Sequence, residues 1–246
     1  MITKIALISD IHANKEALVA VLNDIKKNEC DEVINLGDCI AIGTEPAEVL
    51  NIIAESGIKS VIGNHDLYYL LGLENQKDIC PEKNPGEYDH QLWTHNELGN
   101  TYRKQVSEFD SIIAKNIQDL KLVCMHYPHL IEDDNPVFSI FSKEQTTDSL
   151  RGLFAMYSGN IFVFGHNHHP CVVQDIEKSR YYINPGSLGC SQDEHAMYAV
   201  LCVENGEVRV EHRKVKYDKA TFVKKMIANN PPELKFILEC FHGVKI

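Results

Sequence analysis

Short apolar runs alternate with polar loops and helical stretches through the first third of the chain. Residues 4–9 form one such run, the loop 10–14 follows, and over 15–28 Leu18, Val21, Leu22 and Ile25 recur at helical spacing. Residues 32–36 then precede Gly37-Asp38 and a helix predicted over 46–56, with Pro46 near its first turn and Gly57 as its stop. A third run, 59–62, leads into Gly63-Asn64-His65-Asp66. Strands alternating with helices predict a parallel sheet, which presents ligands at the C-terminal ends of its strands. The three polar loops are therefore expected to converge.

The rest of the chain reads differently. Residues 67–110 are polar and helical, punctuated by Pro81, Pro85 and Gly86, and carry Tyr68, Tyr69, Trp93 and Tyr102. An inserted helical cap is expected there. Beyond it, 112–116 with 121–125, 171–176 with 180–183, and 197–203 with 208–215 are adjacent strand pairs, with 161–164 a strand between them. Asn205-Gly206 joins the last pair as a strong hairpin signal. A second, mainly antiparallel sheet is the expectation. Asp218 suits the cap of a helix over 219–228, and Asn229-Asn230-Pro231-Pro232 separates it from a last short helix, placing the C-terminal helices at about 219–241. At 246 residues and 44% hydrophobic, the chain reads as one α/β domain over 1–246.

Composition narrows the partners. The net charge is −11, and Lys and Arg form no dense patch beyond pairs such as Lys224-Lys225, which disfavours a long nucleic acid. Bound divalent cations would reverse the local sign, so a small anionic substrate stays compatible. No run reaches the roughly 18 apolar residues of a membrane span or forms a signal-peptide core, so the expectation is a cytoplasmic protein without a membrane partner. Eight cysteines lie far apart with no Cys-x-x-Cys pair, and read as reduced, mostly buried residues.

The candidate chemistry sits at strand ends. Asp10 and His12, two apart, project to one side of an extended backbone; Asp38 and Asn64 follow the second and third strands. His126 ends the strand over 121–125, and His166 and His168 repeat the two-residue spacing after 161–164. These seven are oxygen or imidazole donors. With Asp38 shared, one cation takes Asp10, His12, Asp38 and His168, and the other takes Asp38, Asn64, His126 and His166, each with coordination left open for water and substrate. His65, needed by neither, is placed to protonate a leaving alkoxide, with Asp66 holding its imidazole or raising its pKa. Cys39 points away from the site into the core, and Asn184-Pro185-Gly186-Ser187 is a turn that could also steady a ligand histidine. The acidic run Glu132-Asp133-Asp134 reads as a solvated loop. His90, His95, His129, His169, His195, His212 and His242 carry no such setting, although His129 and His169 could line the pocket.

In that order, Asp-x-His, Gly-Asp, Gly-Asn-His-Asp, a lone strand-end His and Gly-His-x-His resemble the calcineurin-like metallophosphoesterases. Ser9-Asp10-Ile11-His12-Ala13-Asn14 with Glu16-Ala17-Leu18, and Asn184-Pro185-Gly186-Ser187-Leu188-Gly189, are more similar still to the small bacterial and archaeal phosphodiesterase branch. The resemblance implies a double β-sheet sandwich flanked by helices, the ligand set above, and hydrolysis of a phosphoester by water activated between two metal ions. Three departures stand out: Asn167 where Thr is usual, Tyr127-Pro128 after His126 where Gly is common, and Cys39 to Gly43 in place of Gly-Tyr-Gly. None removes a ligand. The expected substrate is a phosphodiester or dinucleoside polyphosphate, since the cap offers apolar and aromatic surface, including Tyr68, Tyr69 and Trp93, for a second organic group. A phosphomonoesterase or a protein Ser/Thr phosphatase is the alternative, although the loops after Asp38 and His65 lack a phosphate-gripping Arg. A DNA-repair nuclease and a non-enzymatic scaffold are weaker rivals, because the chain is acidic and its ligand set complete. The donor set suits Mn, Fe, Zn or Co, and leaves the natural substrate and oligomeric state open.

Overall fold

The computed structural model describes residues 2–76, 79–132 and 135–246, so Asp133 and Asp134 of the acidic run lie outside the described residues. Two five-stranded sheets pack face to face between helices. In the first, β1 (Thr3–Ile8), β2 (Glu32–Asn35) and β3 (Lys59–Ser60) run parallel, connected through α1 (Lys15–Lys27) and α2 (Pro46–Glu55). After β3 come the helices of the expected cap: α3 (Asn64–Leu71), α4 (Pro85–Leu98) and α5 (Arg103–Ser107). The second sheet has the order β4 (Ile113–Ile117), β5 (Leu120–Cys124), β8 (Ile161–Val163), β10 (Arg180–Asn184), β9 (Cys171–Asp175). Between β5 and β8 lie the small hairpin of β6 (His129–Glu132) and β7 (Asn135–Phe138), and α6 (Thr147–Leu153). The chain finishes with β11 (His195–Glu204), β12 (Glu207–Lys216), α7 (Lys219–Asn229) and α8 (Leu234–His242).

Period-two alternation sorts the core into layers. Ile5 and Leu7 of β1 face the second sheet, meeting Leu122, Ile161, Val163 and Ile183. Ala6 and Ile8 face the opposite way, onto Leu18 and Val21 of α1 and Val49 and Ile53 of α2. On the outer face of the second sheet, Val123, Phe162, Phe164 and Tyr182 pack on Leu150 and Phe154 of α6 and its end. Tyr69, Leu98 and Val106 of the cap helices share the core of α1 and α2, so the cap is rooted in the main body.

Two expectations need correction. The hairpin over 197–215 does not belong to the second sheet: β11 pairs antiparallel with β1 (Ile5 opposite Leu201, Leu7 opposite Ala199), and β12 flanks it. Ile5 to Ile8 are fully buried on both faces, so β1 needs a partner on each edge, and β11 supplies the one that β2 leaves. Nor is the second sheet mainly antiparallel, since β5, β8 and β10 are parallel and only the edge strands β4 and β9 run against them. The long crossover through β6, β7 and α6 is what a parallel β5–β8 pair requires. Asn205 and Gly206 turn the last hairpin with φ of 51° and 81°, as a two-residue turn demands.

Candidate metal centre

The loops that end β1, β2 and β8 meet at one rim of the sandwich. They are not extended: Asp10, His12, Asp38, His166 and His168 have φ of 53°, 48°, 54°, 70° and 59°. Left-handed backbone costs a non-glycine residue about 1–2 kcal/mol, so its concentration at five of the seven expected donors marks a strained site held by its surroundings. Backbone hydrogen bonds from Asp10 N to Gly37 O and from His12 N to Asp38 O, both 3.0 Å, lock the first loop on the second. Gly63 permits a close approach of the third loop to the second, because a Cβ there would stand 2.2 Å from Asp38 Oδ1.

All seven expected donors come together, in two groups joined at Asp38. In the first, His168 Nε2 lies 3.0 Å from His12 Nε2 and 3.4 Å from Asp10 Oδ1. In the second, His126 Nε2 is 3.1 Å from Asn64 Oδ1 and 3.2 Å from His166 Nδ1. Asp38 Oδ2 reaches both, 3.3 Å from His126 Nε2 and 4.0 Å from His12 Nε2. His126 Nδ1–H donates to the Leu36 carbonyl at 2.7 Å, which turns Nε2 toward the centre.

The electrostatics suit cations. Burial opposes ionisation of Asp10, yet the charges of His168 and His126 hold it at about 2; burial likewise works against Asp38, which His126 and His65 keep well below the carboxylate range. Against the cost of its own burial, His126 is pushed up to about 9 by Asp38. His12, by contrast, is pulled down to about 3 by burial and by His168, and His166 to about 4 by burial and by His126, so both present neutral nitrogens. Two ionised buried carboxylates thus draw positive charge onto neighbouring imidazoles, and a bound cation satisfies the same demand. Donor atoms of Asp38, His126 and His166, and those of His12, Asp38 and His65, each fall within 4.8 Å of one another. The residues fit metal.

A family model described as the calcineurin-like phosphoesterase superfamily domain matches residues 3–206. The chain belongs to that superfamily. It is 32% identical over 242 residues to an uncharacterized protein of Methanocaldococcus jannaschii, covering 93% of this chain and 94% of that one. The fold is similar to a metallophosphoesterase from Sphaerobacter thermophilus (TM-score 0.73, 24% identity, 98% of this chain and 100% of that one). It is also similar to a hypothetical protein from Pyrococcus horikoshii OT3 (TM-score 0.79, 19% identity, 99% and 100%). This calcineurin-like chain is accordingly a metal-dependent phosphoesterase, and its His and Asp groups are of the kind that could hold divalent metal.

Around this calcineurin-like centre the supporting residues differ from expectation at Asp66. Its carboxylate does not hold His65: it accepts from Asp38 N (2.8 Å), Cys39 N (3.0 Å) and Gly63 N (3.0 Å), tying the second loop to the third. Three converging backbone N–H groups outcompete a ring on the neighbouring residue. Gln91 of α4 takes the place expected of Asp66, with its side-chain amide against His65 Nδ1. Buried Gln91 Oε1 has no partner with Nε2 so placed; turning the amide over lets Oε1 accept from Nδ1–H. His90, the residue before Gln91, accepts from Ile42 N (2.8 Å) through Nε2 and donates from Nδ1 to Pro232 O (3.0 Å), fastening the cap to the loop after β2. Asn184 donates to Gly165 O and Asn167 Oδ1 at 3.0 and 2.9 Å, and Ser187 Oγ donates to Asp10 O at 2.9 Å, so this turn braces both metal-facing loops. Cys39 is fully buried in the core, and all eight cysteines are free thiols. Among the described residues no helix is long and apolar enough to cross a membrane.

Proposed function

We propose that the chain hydrolyses a phosphodiester or dinucleoside polyphosphate at a centre of two metal ions. One ion is assigned to Asp10, His12, Asp38 and His168, the other to Asp38, Asn64, His126 and His166. The observation that carries this reading is the position of Asp38 Oδ2 between His12 and His126, which joins two donor groups through one carboxylate. Bound there, the ions supply Lewis acidity, polarising phosphoryl oxygens and acidifying water. His65, on the rim and 3.9 Å from Asp38 Oδ2, is the general acid for the leaving oxygen; Gln91 holds its Nδ1 side so that Nε2 faces the centre.

Two cavities support a substrate with an organic group on each side of phosphorus. One, of about 650 Å³, is lined by Asn64, Tyr68, Leu71, Phe138, Phe141 and His166. The other, of about 540 Å³, is lined by His65, Ile42, Pro85, His90, Phe236 and Phe241. A small anionic nucleotide in the cytoplasm fits this arrangement, with Mn, Fe, Zn or Co as the ions. Trp93 lines neither cavity, its ring lying 5.9 Å from that of His90, and Tyr69 is buried in the core. The test is kcat/KM for diesters, dinucleoside polyphosphates and matched monoesters side by side in a metal-supplemented assay. Diesters or polyphosphates are expected to win; a monoester preference of about tenfold, roughly 1.4 kcal/mol of transition-state discrimination, overturns the substrate class.

A further inference from the structure

Beside the first group of donors stands a thiol that the ligand set above leaves out. Cys190 follows the turn over 184–189, and its Sγ falls within 4.8 Å of the ring nitrogens of both His12 and His168. Its backbone is fixed: Leu188 N donates to Ser9 O and Gly189 N to Asp10 O, both at 2.9 Å, and Cys190 N donates to Ser187 Oγ at 2.9 Å. The sulfur is therefore carried by the same backbone that positions Asp10. His12 and His168 point their Nε2 atoms at each other across 3.0 Å, a gap that favours a shared cation, and Cys190 borders it. The half-buried thiol also opens on a cavity of about 510 Å³ lined by Phe141, Asn167, Gln192 and Phe241, so it stands between the centre and solvent. Among the described residues it is the one cysteine in such a group; Cys39, though next to Asp38, turns its sulfur to Asn35 Nδ2 at 3.0 Å.

We propose that the Cys190 thiolate is a further ligand of the cation held by Asp10, His12, Asp38 and His168, and that it biases this position toward a thiophilic ion. The proposal rests on the two-cation reading above. Carboxylate and imidazole alone accept Mn²⁺ readily, whereas a thiolate selects Zn²⁺, Co²⁺ or Fe²⁺ over Mn²⁺ and Mg²⁺. Binding releases the thiol proton to solvent as the sulfur–metal bond forms.

Cobalt(II) is the probe. The full chain is loaded with Co²⁺, its metal content is measured by elemental analysis, and its near-ultraviolet spectrum is searched for thiolate-to-cobalt charge transfer. Cys190→Ser is compared with Cys240→Ser, which removes the other thiol on the same cavity. The wild type and Cys240→Ser are expected to show the band, and Cys190→Ser to lose it while still holding cobalt. In a Zn²⁺ against Mn²⁺ competition, Cys190→Ser is expected to lose Zn²⁺ preference on the order of tenfold, a change typical of altering a metal's surroundings. A band that survives in Cys190→Ser, or no band in a wild type holding two cobalt ions, overturns the thiolate ligand and leaves the two-cation reading standing. A wild type that retains no cobalt overturns both.

Discussion

Replacing Gly63 by alanine tests how tightly the loops after β2 and β3 are fitted. The added Cβ would stand 2.2 Å from Asp38 Oδ1, 2.3 Å from Asp38 N and 2.8 Å from Asp38 Cγ. Backbone strain is not the issue, because Gly63 has φ of −90°, open to any residue. Contacts that short force the Asp38 loop away by roughly 1 Å or more, with Asp38 N–H and Gly63 N–H both tied to Asp66 and unable to move alone. Overpacking of this kind costs about 1–3 kcal/mol of stability. A displacement of about 1 Å at a reacting centre also costs on the order of a hundredfold in rate, or about 2.7 kcal/mol in transition-state stabilisation. Denaturant unfolding, metal content and kcat/KM are measured together on Gly63→Ala. Gly152→Ala is the control: it lies in α6 with nothing within 4 Å of its added Cβ, and is expected to be neutral or to gain up to about 1 kcal/mol. Wild-type stability, metal content and rate in Gly63→Ala would refute the fit of Asp38 against this loop.

Further expectations concern the acid, the cavities and the ions. His65→Ala should keep its metal but lose about 10²–10⁴-fold for poor leaving groups and far less for nitrophenolate; Gln91→Leu should show the same leaving-group signature more weakly, and equal losses across leaving groups would contradict it. Phe241→Ala or Tyr68→Ala should raise KM for dinucleoside polyphosphates and spare a small nitrophenyl ester, with each lost base stack worth about 1–3 kcal/mol; an unchanged KM would remove these rings from the binding surface. Chelation should lower the melting temperature, since ions at about 100 times their Kd stabilise the folded chain by about 2.7 kcal/mol each, and an unmoved transition would argue against bound metal.

Strand-end donors were legible because each follows an apolar run and the loops of a parallel sheet converge at one rim. The sequence placed Asp10, His12, Asp38, Asn64, His126, His166 and His168 there, and the structure brings those seven together. Partners chosen by three-dimensional packing were not legible. Asp66 sits beside His65 in sequence but binds N–H groups 27 and 28 residues away. Gln91 lies in a polar helix whose spacing says nothing of what it faces, and Phe236 and Phe241 reach the cavity beside His65 from the last helix of the chain. Sheet membership was misread at β11 because a hairpin signal specifies its own partner and not the strand beyond it. Residues 129–138 carried no strand pattern: Leu130, Ile131 and Val137 are exposed, and Pro136 interrupts the run, as edge strands tolerate.

The central claim is that Asp38 joins two cations. Elemental analysis of the purified wild type and of Asp38→Asn, each equilibrated with the same excess Mn²⁺ or Zn²⁺ and then freed of loose ions, tests it most directly. About two ions per chain are expected in the wild type, falling to about one or fewer in the variant, with loss of phosphodiester hydrolysis. Two ions and full activity retained in Asp38→Asn would contradict the account.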